Sequence, residues 1–287
     1  MKLKRYFDAF LFWQQTHSFM LLDEAANNLI ITLTDRLRKE TGQSDALMYS
    51  VEKSGRVVLA ALMIPPRDLM VAASPEADEQ AISSLIDDLI INETALPGIL
   101  AENAFAETFC TKWTEKSGDD SRLFRKERIH QLRKCRAINP APGQMRLATG
   151  DDTDKTAGWI MDFHIEINEP MTTERAKRIA ETKIANKNIF LWIDGGIVSM
   201  CASDRETQHG KSVNLVYTPP RNRGKGYATS CVHNLCQQIL DEGKTFCCLY
   251  TDRENPTSNH IYSEIGFVPI FDLLHYKFKT RRNGVRD

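Results

Sequence analysis

Val213-Asn-Leu-Val-Tyr-Thr-Pro-Pro-Arg-Asn-Arg-Gly-Lys-Gly-Tyr-Ala228 is the stretch on which the reading of this chain turns. Val213–Tyr217 reads as a strand that runs into Pro219-Pro220, and a glycine-rich loop follows. Tyr227–Leu240 then carries the spacing of a helix. A loop of this kind between a strand and a helix start captures anions. Glycines let the backbone come close, and the free N–H groups of the first helical turn point at the ligand. Arg221, Arg223 and Lys225 add positive charge, so a pyrophosphate would fit. Two better-known phosphate motifs do not match. The P-loop needs a glycine five residues before Gly-Lys-Ser/Thr, and Thr229 takes the place of the third glycine of the dinucleotide fingerprint.

On either side of the loop the sequence reads as an α/β unit. Asn139-Pro-Ala-Pro-Gly143 is the best linker candidate. After it come a short strand at Met145–Ala148 and a helix opened by Thr149-Gly150-Asp151-Asp152. A second helix covers Thr172–Asn186. Ile189–Ile193 and Ile197–Ala202 flank the turn Asp194-Gly195 as a hairpin. Beyond the loop, Thr245–Tyr250 reads as a strand and Pro256–Ile265 as a helix. Phe267–Phe271 and His275–Phe278 read as final strands. The hairpin signal predicts a mixed sheet rather than a wholly parallel one.

Arg221-Asn-Arg-Gly224-Lys-Gly226 resembles the Gln/Arg-x-x-Gly-x-Gly/Ala signature of the GNAT superfamily of acyl-CoA N-acyltransferases. Leu249-Tyr-Thr-Asp-Arg-Glu-Asn-Pro-Thr-Ser-Asn-His-Ile-Tyr-Ser-Glu-Ile-Gly-Phe-Val268 is similar to that family's later strand–helix–strand segment. Two motifs in the right order make the resemblance specific, and it covers about residues 145–280. It implies a mixed, mostly antiparallel central sheet flanked by helices, the α+β variety of α/β protein. It also implies acetyl-CoA as co-substrate, with no metal. Main-chain groups of Val216, Tyr217 and Thr218 would meet the pantetheine and thioester. Gly224, Gly226, Tyr227 and Ala228 would offer N–H groups to the pyrophosphate, with Arg221, Arg223 and Lys225 around it. Asn255 opens the later helix, and Asn259 on it would reach pantetheine or phosphate.

A thioester acylates an amine by direct attack through a tetrahedral intermediate. Such a site needs an oxyanion donor, a neutral amine and a proton for the leaving thiolate. A backbone N–H near Val216 is the expected oxyanion donor, and Tyr262, three residues beyond Asn259 on one helix face, the expected acid. The general base is not legible. Glu166, Asp252, Glu254 and His164 are candidates by location only. Cys231, Cys236, Cys247 and Cys248 read as small core residues, which disfavours a route through a cysteine nucleophile. Trp159, Phe163 and Trp192 line either an acceptor pocket or the core. The acceptor is a small-molecule or peptide amine, otherwise unspecified. The competing reading is a CoA-binding sensor that holds the cofactor without turnover.

Residues 1–140 contain no Arg-x-x-Gly-x-Gly. Leu21–Lys39 reads as one amphipathic helix. Ala46–Glu52 and Val57–Met63 form a hairpin about Lys53-Ser54-Gly55, and Leu69–Ala73 is a third strand. Ser74-Pro75-Glu76 starts a helix to about Ile91, and Leu100–Trp113 is another. Arg122–Arg133 is a strand or a helix. The loose helix, hairpin, strand, helix order of both halves suggests duplication. By analogy, residues 1–140 read as a GNAT-like domain that has lost CoA, beside a catalytic domain at 141–287; an unrelated helix–hairpin domain is the alternative.

Composition fits this reading. The chain has 287 residues, 42% hydrophobic and 26% charged, as in a globular protein with a real core. Residues 1–140 hold 18 Lys+Arg and 20 Asp+Glu, and residues 141–287 hold 19 and 18. Neither half carries the strong basic field of a nucleic-acid binder. The C-terminal Lys277, Lys279, Arg281 and Arg282 read as a solvated tail. Seven cysteines, without paired zinc-ligand spacing, read as reduced thiols of a cytoplasmic protein. No secretory leader and no membrane span of ~20 apolar residues is expected.

Overall fold

The computed structural model describes residues 1–40 and 44–280, so Arg281 and Arg282 of the basic run lie outside the described residues. The chain begins β1 (Lys2–Tyr6), α1 (Ala9–Met20), α2 (Asn28–Leu37), β2 (Leu47–Lys53), β3 (Arg56–Met63) and β4 (Leu69–Ala73). It continues α3 (Glu79–Ile91), β5 (Gly98–Glu102), α4 (Asn103–Ser117) and β6 (Asp120–Leu132). The same order of elements then repeats: β7 (Gln144–Leu147), α5 (Thr153–Glu166), α6 (Thr173–Ala185), β8 (Ile189–Ile193), β9 (Ile197–Asp204) and β10 (Gly210–Tyr217). It ends α7 (Tyr227–Asp241), β11 (Phe246–Asp252), α8 (Pro256–Ile265) and β12 (Val268–Lys279).

Two compact units result. The first holds Met1–Ile129, Asp252–Glu254 and the described residues from Ile270 on. The second holds His130–Thr251 and Asn255–Pro269. Each contains a mixed, largely antiparallel sheet flanked by helices, as the sequence predicts. In the first unit the strand order is β1-β2-β3-β4-β5-β12-β6, with β4 and β5 parallel. In the second, β7-β8-β9-β10 are successively antiparallel and β11 joins β10 in parallel.

Period-two alternation sorts the cores. In β2 and β3, Tyr49, Val51, Leu59 and Ala61 face one way, into a cluster with Leu85 and Leu89 of α3 and Phe105 and Phe109 of α4. Met48, Ala60 and Leu62 face the other way, onto Phe12 of α1 and Ile30 and Leu33 of α2. The second unit repeats this, with α7 and α8 on one face and α5 and α6 on the other.

Several local expectations need correction. Leu21–Lys39 is not one helix. The chain makes a short 3-10 turn at Leu21–Asp23 and restarts at Asn28. Asn27 Nδ2 donates to Met20 O at 3.0 Å and Asn28 Nδ2 to Ala25 O at 2.6 Å, so asparagine side chains take carbonyls that a continuous helix would use. Before the break, α1 is capped by Asp8, whose carboxylate accepts from Phe10 N and Leu11 N. Ser74-Pro75-Glu76 is a turn closed by Ala77 N on Ser74 O, and α3 starts later, capped by Asp78. Leu100 lies in β5, and α4 follows with Glu102 capping Phe105 N at 3.1 Å. Arg122–Arg133 resolves as strand. The two final strands are one, β12.

That last strand completes the first unit. Leu273–Lys277 pairs antiparallel with Gly98–Glu102, and Leu274, Tyr276 and Phe278 enter the first unit's core. Asp68 Oδ2 fastens it by accepting from His275 Nε2 at 2.7 Å and Lys277 Nζ at 2.5 Å. The Asn139–Gly143 segment, read as a linker, is docked in the second unit. Ala141 N donates to Ser230 Oγ at 2.8 Å, and Pro142 O accepts from Trp192 Nε1 at 2.8 Å. No helix among the described residues is long and apolar enough to cross a membrane.

Candidate functional site

The site is built on a strand that changes face and then leaves its neighbour. Val213 and Leu215 are two residues apart, yet Val213 packs with α7 and α8 while Leu215 packs with α5 and α6. A β-bulge between Asn214 and Tyr217 makes the switch, with Leu215 at φ 47°. Val216 is thereby returned to the α7–α8 face, the face that also buries Tyr262. On the other edge, β10 pairs with β11 only at Gly210–Ser212, opposite Phe246–Cys248. Beyond Ser212 the paired register ends, so main-chain groups of both strands face the gap. An extended, amide-bearing ligand is the natural partner for such edges.

The loop is shaped by backbone bonds. Ser199 Oγ lies 3.2 Å from Tyr217 O and 2.8 Å from Thr218 Oγ1, which clamps the end of β10 to β9. Pro220–Asn222 makes one 3-10 turn. Gly224 and Gly226 sit at φ 74° and 76°, the left-handed region that costs any other residue strain. Nothing lies within 4 Å of where a Gly224 Cβ would stand, so glycine here answers to conformation and to what may approach from outside.

Gly226 is the N-cap of α7 and supplies no side-chain acceptor. The first amide of α7 bonded within the helix is Ser230 N, on Gly226 O at 3.0 Å. The amides of Tyr227 and Ala228 precede it, and their helical geometry aims them out of the N-terminus, where the dipole favours an anion. The corresponding helix of the first unit, α3, is built the opposite way. Asp78 caps it, accepting from Gln80 N and Ala81 N, and Glu79 follows. A carboxylate already occupies those amides and repels a phosphate.

Among the cations, Arg221 and Lys225 are exposed. Arg223 is tied down: Nε donates to Thr218 O at 2.8 Å, Nη2 to Glu166 Oε1 at 2.5 Å, and the guanidinium lies 5.8 Å from the Tyr217 ring centroid. The Tyr217 side chain points into the α5–α6 core, 5.9 Å from the Trp159 ring, and donates to Asp162 Oδ2 at 3.3 Å. Only its backbone is turned to the site. Tyr227 likewise buries its ring and donates to Asp194. Asp194 reads in the sequence only as a hairpin turn, and Ser199 and the bulge at Leu215 carry no signal there; their contacts are with residues distant along the chain.

α8 brings up the third part. The Asn255 side chain caps it, Oδ1 accepting from Ser258 N at 3.2 Å, which is a structural duty. Asn259 lies one turn on, partly exposed. Tyr262 is 8% exposed and packs edge-on against Phe267, with ring centroids 5.8 Å apart. Burial pushes its phenol well above the ordinary value, and the thiols of Cys201 and Cys236 act the same way. The structure therefore places Val216, Tyr227 and Tyr262 in one hydrophobic cluster.

The base candidates fare differently. Glu166 is paired with Arg223, and Glu254 with Lys126 at 3.0 Å. Asp252 and Glu254 fall in the first unit. The His164 ring stands edge-on to Phe163. Trp159 and Trp192 are core residues. Burial raises the Cys201 and Cys236 thiols far above the ordinary value and Cys135 to about 11, so these sulfurs stay protonated and unreactive. Among the described residues no group of His, Cys, Asp and Glu is placed to hold a metal ion.

Comparison with known proteins bears on the fold. A family model described as FR47-like protein matches residues 193–275. No curated protein matches the chain by sequence. Among solved structures, a protein from Drosophila superposes with a TM-score of 0.69 at 10% identity, over 97% of this chain and 98% of that one. A GCN5-related N-acetyltransferase from Sphaerobacter thermophilus gives 0.65 at 16% identity, over 96% and 95%. A tandem GNAT protein from the clavulanic acid biosynthesis pathway gives 0.58 at 11% identity, over 97% and 98%. The chain has the GNAT fold along its whole length, in two units.

Proposed function

We propose that this chain is an acetyl-CoA-dependent N-acetyltransferase whose second unit carries the active site. One observation carries the reading: the uncapped start of α7 follows a left-handed glycine loop at the end of β10, where that strand parts from β11. The residues fit the cofactor. Amides of Tyr227 and Ala228, with Gly224 and Gly226, would hold the pyrophosphate. Main-chain groups of Val216 and Thr218 would pair with the pantetheine arm. Arg221 and Lys225 supply charge, and Asn259 reaches toward the same ligand.

Bound acetyl-CoA supplies an activated thioester for attack by a neutral amine. The chain's part is placement and proton transfer. In this reading a backbone N–H near Val216, at the bulge, would stabilise the developing negative charge. The Tyr262 hydroxyl, kept protonated by burial, would give its proton to the departing thiolate. The acceptor is a small-molecule or peptide amine. The first unit takes no CoA in this reading, because Asp78 and Glu79 occupy the start of α3. Seven free cysteines suit a reducing, cytoplasmic setting.

The test is thiol release from acetyl-CoA across a broad amine panel. Amine-dependent release supports the transferase. Tight acetyl-CoA binding without release for any amine would replace it with a sensor that holds the cofactor without turnover. No CoA binding would remove both.

A further inference from the structure

Arg223 and Glu166 are 57 residues apart in sequence and meet in an ion pair at 2.5 Å. The guanidinium divides its work by edge. Nε is spent on Thr218 O, which belongs to the loop itself, and the planar face lies toward Tyr217. Nη2 alone reaches out of the loop, to the last residue of α5. The two side chains are 47% and 46% exposed, and an exposed pair of this kind is a weak bond, screened by solvent. The CoA pyrophosphate carries two negative charges against the carboxylate's one, and phosphate oxygens meet the guanidinium fork as a carboxylate does. The pair therefore sits where a phosphate ligand would compete with it, and it is weak enough to lose.

We propose that Glu166 is a positioning residue that acts as an internal competitor for the cofactor's phosphates. Arg223 pivots on its Nε bond to Thr218 and exchanges Nη2 from Glu166 to a phosphate when CoA binds. The exchange releases the Glu166 carboxylate at the last residue of α5, where the connection to α6 begins. Occupancy of the phosphate loop is thus communicated to a segment that makes no part of that loop. This inference rests on the acyl-CoA reading of the loop.

The closing experiment is a double-mutant cycle on CoA affinity, measured by calorimetry with the full-length protein. Glu166→Gln removes the competitor, so CoA should bind roughly two- to fivefold tighter, the range an exposed ion pair allows. Arg223→Gln should bind CoA more weakly, and adding Glu166→Gln to it should change nothing further. Glu166→Asp should restore the wild-type affinity. Pantetheine, which lacks the phosphates, should bind wild type and Glu166→Gln alike. A gain in affinity is not what a merely damaged fold produces. Unchanged or weaker CoA binding in Glu166→Gln overturns the inference, as does equal tightening in the Arg223→Gln background. If wild type binds CoA but the cycle shows no coupling, only this inference fails; if wild type binds no CoA, the acyl-CoA reading fails with it.

Discussion

Arg223 reaches back five residues, and its Nε donates to the carbonyl oxygen of Thr218 at 2.8 Å. The bond ties the glycine loop to the end of β10, so the bulged strand and the proposed anion site are joined. Packing contributes little there. Gly224, the next residue, has open space where a side chain would begin.

That openness makes Gly224→Ala diagnostic. The left-handed φ of 74° imposes a strain of about 1–2 kcal/mol, visible as a lower urea midpoint. If the loop holds the pyrophosphate as proposed, the methyl and the altered loop backbone should lower CoA affinity roughly tenfold, about 1.4 kcal/mol. Calorimetric titration at a temperature where the variant is folded separates the two effects. Undiminished affinity would remove the loop from the cofactor site.

Tyr262→Phe keeps the ring and its packing on Phe267 but removes the hydroxyl proposed as proton donor. kcat should drop about 100-fold, with CoA affinity unchanged. Burial raises the phenol's pKa, so the hydroxyl stays protonated throughout neutral and mildly alkaline solution. The wild-type rate should show no alkaline limb from Tyr262 below about pH 10. Such a limb, present in wild type and absent in the phenylalanine variant, would contradict the burial argument.

Asp152 contributes to acid stability in the second unit. Its carboxyl accepts from Arg146 at 2.7 and 2.9 Å and from Thr149 N at 2.8 Å. The Arg146 bonds foremost, then those from Thr149, outweigh burial and hold its pKa at about 2. A carboxyl depressed in the native state stabilises it above the unfolded value of about 3.9, and that stability is lost as pH falls through about 2. Asp152→Asn should cost roughly 2 kcal/mol at pH 7 and much less near pH 2. Urea titrations at both pH values decide it; an equal cost at each would show that charge is not the source.

A protein cut into its two sequence halves should not yield a folded first half. A fragment of residues 1–140 lacks β12, so Gly98–Glu102 loses its antiparallel partner and the core loses Leu274, Tyr276 and Phe278. Circular dichroism should show secondary structure without a cooperative unfolding transition. Cooperative unfolding of the fragment would mean that β12 is dispensable.

Sequence alone determined what local chemistry determines. The strand, glycine loop and helix start at Val213–Ala228 are written in proline stops, left-handed glycines and cationic neighbours, and all act within a few residues. The helix at Pro256–Ile265 with its asparagine cap was equally legible, as was the hairpin at β2 and β3. Where local signals competed, the reading failed. Asn27 and Asn28 fit a helix by spacing but break it by bonding backbone carbonyls.

Tertiary structure decided the rest, because those features depend on partners far away in the chain. The bulge that returns Val216 to the face of Tyr262 exists only against β9. The engagement of Arg223 by Glu166 joins residues that no spacing rule connects. The last strand sits beside β5 of the first unit because its apolar alternation fits that edge, and alternation names a face to bury without naming the neighbour that buries it.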